Sequence, residues 1–91
     1  MIKIAVCDDI PYAAEMVKNL LLSHDFGEEL EIDCFDNGPD LYDQFIIKKY
    51  DILMTDVELT PEGYSKKLME NGMLLADEIK DMFTDTLVIF F

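Results

Sequence analysis

Asp8 and Asp9 stand side by side just after the apolar run Ile2 to Val6, and Asp56 follows a second apolar run, Ile52-Leu53-Met54. Carboxylates brought within a few Å of one another repel by several kcal/mol unless a proton or a cation offsets the charge. A set of hard oxygen donors without His or Cys favours Mg²⁺, which prefers octahedral geometry, keeps several waters and commonly bridges to phosphate. The simpler use of an Asp after a strand is to start a turn or cap a helix. One such acid alone would be read that way; three that converge point to a divalent-cation site that handles a phosphoryl group.

Whether they converge depends on the elements that carry them. Ile2, Ile4, Ala5 and Val6 form a run of the kind a strand buried on both faces requires. Ala13, Val17, Leu20 and Leu21 keep helical spacing from Pro11 to about His24, with Pro11 suited to the first turn. Residues 30–35 alternate apolar and acidic, a half-covered strand expected at a sheet edge, and Asp36-Asn37-Gly38 breaks it. Asn37 as cap, Pro39 and Asp40 in the first turn, and Leu41, Phe45 and Ile46 on one face predict a second helix ending near Lys48-Lys49. A strand over Tyr50 to Thr55 comes next. Residues 57–70 mix Pro, Gly, Ser and charges without periodicity and read as a long loop. Asn71-Gly72 opens a third helix carrying Leu75, Ile79 and Met82, and Thr86 to Phe91 reads as a fourth strand.

The alternation of strand and helix predicts an α/β fold, a doubly wound parallel sheet with right-handed crossovers. Ligands bind such sheets beyond the carboxyl ends of the strands, where strand order reverses. In the flavodoxin-like order 2-1-3-4 that point lies between the first and third strands, so Asp8, Asp9 and Asp56 are delivered to one crevice.

Composition bounds the rest. At 91 residues the chain is one domain, and about half its residues are apolar, enough for a core. With 20 acids against 7 bases the formal net charge is -13, which opposes contact with nucleic acid or anionic lipid and suits cations and basic partners. The N-terminus has no signal-peptide pattern and no run approaches membrane-spanning length, so a cytoplasmic protein is expected. Cys7 and Cys34 read as free, half-buried thiols. His24 reads as a favourable charge at a helix C-terminus. Met16, Met54, Met73 and Met82 read as core filling, and Lys66 and Lys67 as solvated loop positions.

Taken together, "KIAVCDD", "YDILMTDVEL", "NGMLLADEIK" and "TLVIFF" resemble the receiver domain of two-component response regulators over nearly all of the chain. "FDNGPDLYDQF" and "LVIFF" are most similar to receivers that precede LytTR-type DNA-binding domains. The resemblance implies that residues 1–91 are a receiver domain and Asp56 the phosphoacceptor, taking a phosphoryl group from a sensor histidine kinase. It implies Mg²⁺ as cofactor, with Asp9 a direct ligand, Asp8 a water-mediated or hydrogen-bonding member of the acid pocket, and the backbone carbonyl of Glu58 a further oxygen. It implies an output segment beyond Phe91 and no turnover of a substrate by this segment itself. Receivers place a Thr or Ser after the fourth strand and a Lys at the end of a fifth; both would lie beyond Phe91, so the domain is expected to be incomplete at its C-terminus, lacking its last strand and helices. The 57–70 loop is longer than the usual receiver has.

Two rivals remain. "DVELT" echoes the nucleophile motif of haloacid-dehalogenase-type phosphatases, with Glu58 offered as general acid, but the late position, Glu in place of Asp, and the unexplained Asp8-Asp9 pair weigh against it. A receiver-like interaction module that is never phosphorylated is the other. Either way, "LVIFF" at the end of the chain would present an apolar edge, and self-association is expected there.

Overall fold

The computed structural model describes residues 1–56 and 72–91, the side chains at positions 11, 72–75 and 78 excepted. Among these residues four strands, β1 (Ile2–Cys7), β2 (Leu30–Phe35), β3 (Ile52–Thr55) and β4 (Leu87–Phe90), alternate with three helices, α1 (Pro11–Leu22), α2 (Gly38–Lys48) and α3 (Gly72–Met82). All strand pairs are parallel and the order is β2-β1-β3-β4. This is the flavodoxin-like order, with the reversal between β1 and β3. Among the described residues, no helix is long and apolar enough to cross a membrane.

The helices divide between the two faces of the sheet. On one face Ala5, Cys7 and Leu53 pack against Leu41 and Phe45 of α2 and Ala76 and Ile79 of α3. Phe45 is fully buried, 5.1 Å from the ring of Tyr50 and 5.3 Å from that of Phe83, centre to centre. On the other face α1 covers β1 and β2 through Ala14, Val17 and Leu21, over Ile4, Val6 and Ile32. Central β1 is the most buried strand, and β2 is an edge with one buried residue, Ile32.

Element ends follow local chemistry. Asn37 Oδ1 accepts the Asp40 N–H at 2.8 Å, capping α2. Lys49 closes that helix in the left-handed region, φ 58°, its N–H bonded to the Phe45 carbonyl. Helix α1 ends two residues before the predicted His24, because Ser23 Oγ donates to the Leu20 carbonyl at 2.6 Å and Gly27, φ 70°, turns the chain toward β2. His24 does reach a helix end: its Nδ1 lies 3.0 Å from the same carbonyl.

Several side chains expected inside are outside. Met16 and Leu20 on α1, Ile46 on α2 and Met82 on α3 are exposed. The inward stripe of α1 is Ala14, Val17 and Leu21, with Leu20 to one side of it and exposed, and Met82 instead accepts a hydrogen bond from the Tyr42 hydroxyl. The side chains of Met73 and Leu75, and the long loop with Glu58, Lys66 and Lys67, lie outside what is described.

Candidate phosphoryl and metal site

The carboxyl ends of β1 and β3 are tied by the sheet itself. Cys7 and Thr55 are register partners, the Asp56 N–H continues the ladder to the Cys7 carbonyl at 3.0 Å, and the Asp8 N–H continues it on the other side to Phe35 at 3.0 Å. The two positions at which the chain leaves the strands are therefore fixed side by side, and the acids leave with them.

Asp8, Asp9 and Asp56 each offer an oxygen within 4.8 Å of the others. Asp8 is buried, Asp9 and Asp56 partly so. Asp8 Oδ1 accepts the Ile10 N–H at 2.9 Å, a turn that fixes the carboxylate before Pro11 starts α1. Partial burial holds the Asp9 carboxyl above its ordinary range, reinforced by a hydrogen bond to Asp8 and by the charges of Asp8 and Asp56. Thr55, fully buried, donates its hydroxyl to the Asp56 carbonyl at 3.0 Å. Directly beneath, burial and the acid charges push the Cys7 thiol up to about 12. Fully buried in the core, Cys7 keeps its proton at neutral pH.

The donor set fits a hard divalent cation: carboxylate oxygens close enough to share one ion, partly open to water, and already strained by mutual repulsion. Asp8, Asp9 and Asp56 are brought together as the sequence predicts; Glu58 lies outside the described residues. Sequence reading missed the contributions of Ile10 and Thr55, although an Asp that follows a strand and lies three residues before a Pro, as Asp8 does before Pro11, is a recognisable turn signal.

A second polar group lies on the β2 edge. Asp33 Oδ2 accepts a hydrogen bond from the Tyr50 hydroxyl and one from Lys48 Nζ at 2.8 Å. Partial burial pulls the Asp33 carboxyl up, but these two donors outweigh it and hold it below its ordinary range. Burial and the Asp33 charge push the Tyr50 phenol up. The group fastens α2 and the start of β3 to β2 and lies on another strand from the acids.

No protein-family model and no curated protein sequence matches the chain. Solved structures do. The RcsB response regulator of Salmonella typhimurium, in a structure concerned with conformational dynamism for DNA interaction, superposes with a TM-score of 0.76 at 18% identity, covering 99% of this chain and 42% of that one. RcsB of Salmonella enterica serovar Typhimurium, bound to promoter rprA with the phosphomimetic BeF3-, gives 0.75 at 18%, covering 99% and 41%. An RcsB–DNA complex gives 0.75 at 18%, covering 98% and 41%. The chain thus spans about two fifths of the length of these structures and has, over that span, the flavodoxin-like receiver fold of response regulators.

Proposed function

We propose that the chain is a phosphoacceptor receiver domain of a two-component response regulator, with Asp56 as the residue that takes the phosphoryl group. The observation that carries this reading is the gathering of Asp8, Asp9 and Asp56 within 4.8 Å at the reversal of strand order. It is strengthened by the likeness of the fold to response regulators, which does not favour the phosphatase alternative.

The donor is a phosphohistidine of a sensor kinase. An Asp56 carboxylate oxygen attacks phosphorus, the P–O bond of an aspartyl phosphate forms, and the P–N bond breaks; the imidazole leaves with the electron pair and takes up a proton. Asp9 and Asp56, with Asp8 behind them and the Glu58 carbonyl as a further oxygen, would hold Mg²⁺. Bound there, Mg²⁺ neutralises charge on the crowded carboxylates and on the transferred phosphoryl oxygens. Asp8 keeps its place through Ile10, and the Thr55 hydroxyl fixes the peptide that follows β3, so the nucleophile is presented from a rigid strand end. Two of the RcsB structures above are bound to a promoter or to DNA; by that likeness a DNA-binding output segment and regulation of transcription belong to the same proposal.

Beryllofluoride, which mimics an acyl phosphate, provides the test. Fluorine NMR should show a slowly exchanging bound species that requires Mg²⁺ and is lost in Asp56→Asn. A bound species of equal intensity in the variant would overturn the assignment.

A further inference from the structure

Thr55 is one of three buried polar residues among those described, with Asp8 and Thr86, and no part of it reaches solvent. The alternation of β3 puts Leu53 and Thr55 on the face covered by α2 and α3, where Leu53 packs in an apolar cluster with Cys7, the register partner of Thr55. Strand preference and packing would be met as well by valine, which has the same branched shape without a hydroxyl. A hydroxyl buried among apolar groups is a cost unless it is hydrogen-bonded. Here its partners are the Asp56 carbonyl, to which it donates at 3.0 Å, and the Cys7 thiol.

These bonds act on the backbone of the nucleophile. Two peptide planes meet at the Asp56 α-carbon. The first is held by the sheet, with the Asp56 N–H on the Cys7 carbonyl at 3.0 Å and the Thr55 carbonyl accepting the Phe91 N–H at 3.2 Å. The second begins with the Asp56 carbonyl, one residue past the last register pairs of β3, and there the Thr55 hydroxyl takes over from the ladder. With both planes held, φ and ψ of Asp56 are held, and with them the direction in which its Cβ leaves the chain and the rotamers open to it. Cys7, which keeps its proton, can donate S–H to the hydroxyl oxygen and leave the hydroxyl proton to Asp56.

We propose that Thr55 is a positioning residue for phosphoryl uptake, its hydroxyl, braced by Cys7, aiming the Asp56 carboxylate for in-line attack. This rests on Asp56 being the phosphoacceptor. It assigns Thr55 to the rate at which bound donor reacts and leaves the gathering of metal oxygens to the β1–β3 register. A cation draws a carboxylate to itself across several Å by charge, whereas in-line attack tolerates little misdirection.

Initial rates of labelling by acetyl phosphate at saturating Mg²⁺ test it. Thr55→Val should lower the maximal rate about tenfold, with KM for acetyl phosphate and the Mg²⁺ dissociation constant changed less than about twofold. Thr55→Ser, which keeps the hydroxyl and gives up a buried methyl, should melt below wild type yet label within about twofold of its rate. A role in packing alone would order the variants by stability instead. Thr55→Ala, expected to be as slow as Thr55→Val, decides if Thr55→Val does not fold. Independently of any phosphodonor, three-bond NMR couplings about the Asp56 Cα–Cβ bond should report one rotamer in wild type and Thr55→Ser and an average in Thr55→Val. Labelling of Thr55→Val at the wild-type rate, a loss that Thr55→Ser shares, or a loss matched by weaker Mg²⁺ binding would overturn the inference while leaving Asp56 as acceptor. No labelling of a wild type whose Asp56 holds one rotamer would overturn the phosphoryl reading, and this inference with it.

Discussion

Cys7 and Thr55 face each other across the β1–β3 pair, and each is followed at once by an acid. Parallel pairing puts both chain exits at the same edge, so a single register match converts a separation of 48 positions between Asp8 and Asp56 into a shared pocket. The pocket costs the fold stability, because the acids are held together by a sheet that exists for other reasons.

That cost has a measurable sign. Without metal, Asp56→Asn should be more stable than the wild type, on the order of 1 kcal/mol, by removing one of three neighbouring charges. A differential scanning experiment in EDTA reads it; an unchanged or lowered Tm would show that the three acids do not strain the folded state.

Adding Mg²⁺ should raise the wild-type Tm by mass action, since only the folded chain assembles the oxygens. Asp9→Ala should lose most of the shift. Equal shifts in wild type and variant would remove Asp9 from the site.

The β2 group gives an acid limb of opposite sign. Asp33 has its folded pKa below its unfolded one, so its stabilisation is present above the unfolded value and is lost as pH falls through the folded one. The chain should weaken below about pH 4, and Asp33→Asn should flatten that limb while lowering stability at neutral pH. Denaturant titrations between mildly acidic and strongly acidic buffer would detect it; an acid limb of unchanged slope in Asp33→Asn would place the pH dependence elsewhere.

In the core, Phe45→Ala should cost about 3–5 kcal/mol, because the ring is fully buried among Tyr50, Phe83 and the sheet. Tyr50→Phe keeps the ring and loses one hydrogen bond to a charged group, about 1.5–3 kcal/mol. Urea unfolding that ranked Tyr50→Phe as the worse of the two would contradict this packing.

The strands and their order were legible because a buried strand has to be apolar on both faces and an edge strand on one, and Ile4-Ala5-Val6 and the alternation of residues 30–35 obey that rule. The acid site was legible for the same reason, since the acids terminate those runs. Helix faces were less so. In α1 eight of twelve residues are large apolar or alanine and they fall on more than one side, so periodicity alone could not tell that Ala14, not Leu20, points inward; the answer depends on how far α1 reaches across the sheet. The Asp33–Lys48–Tyr50 group joins three elements and has no local spacing to betray it.

The central claim is that Asp56 accepts a phosphoryl group. Intact-mass and peptide mass spectrometry after incubation with acetyl phosphate and Mg²⁺ test it most directly: the account predicts a single added phosphoryl group, located on Asp56, labile to hydroxylamine, dependent on Mg²⁺ and absent from Asp56→Asn. A label of undiminished extent in Asp56→Asn, or no label in the folded, Mg²⁺-loaded wild type, would contradict it.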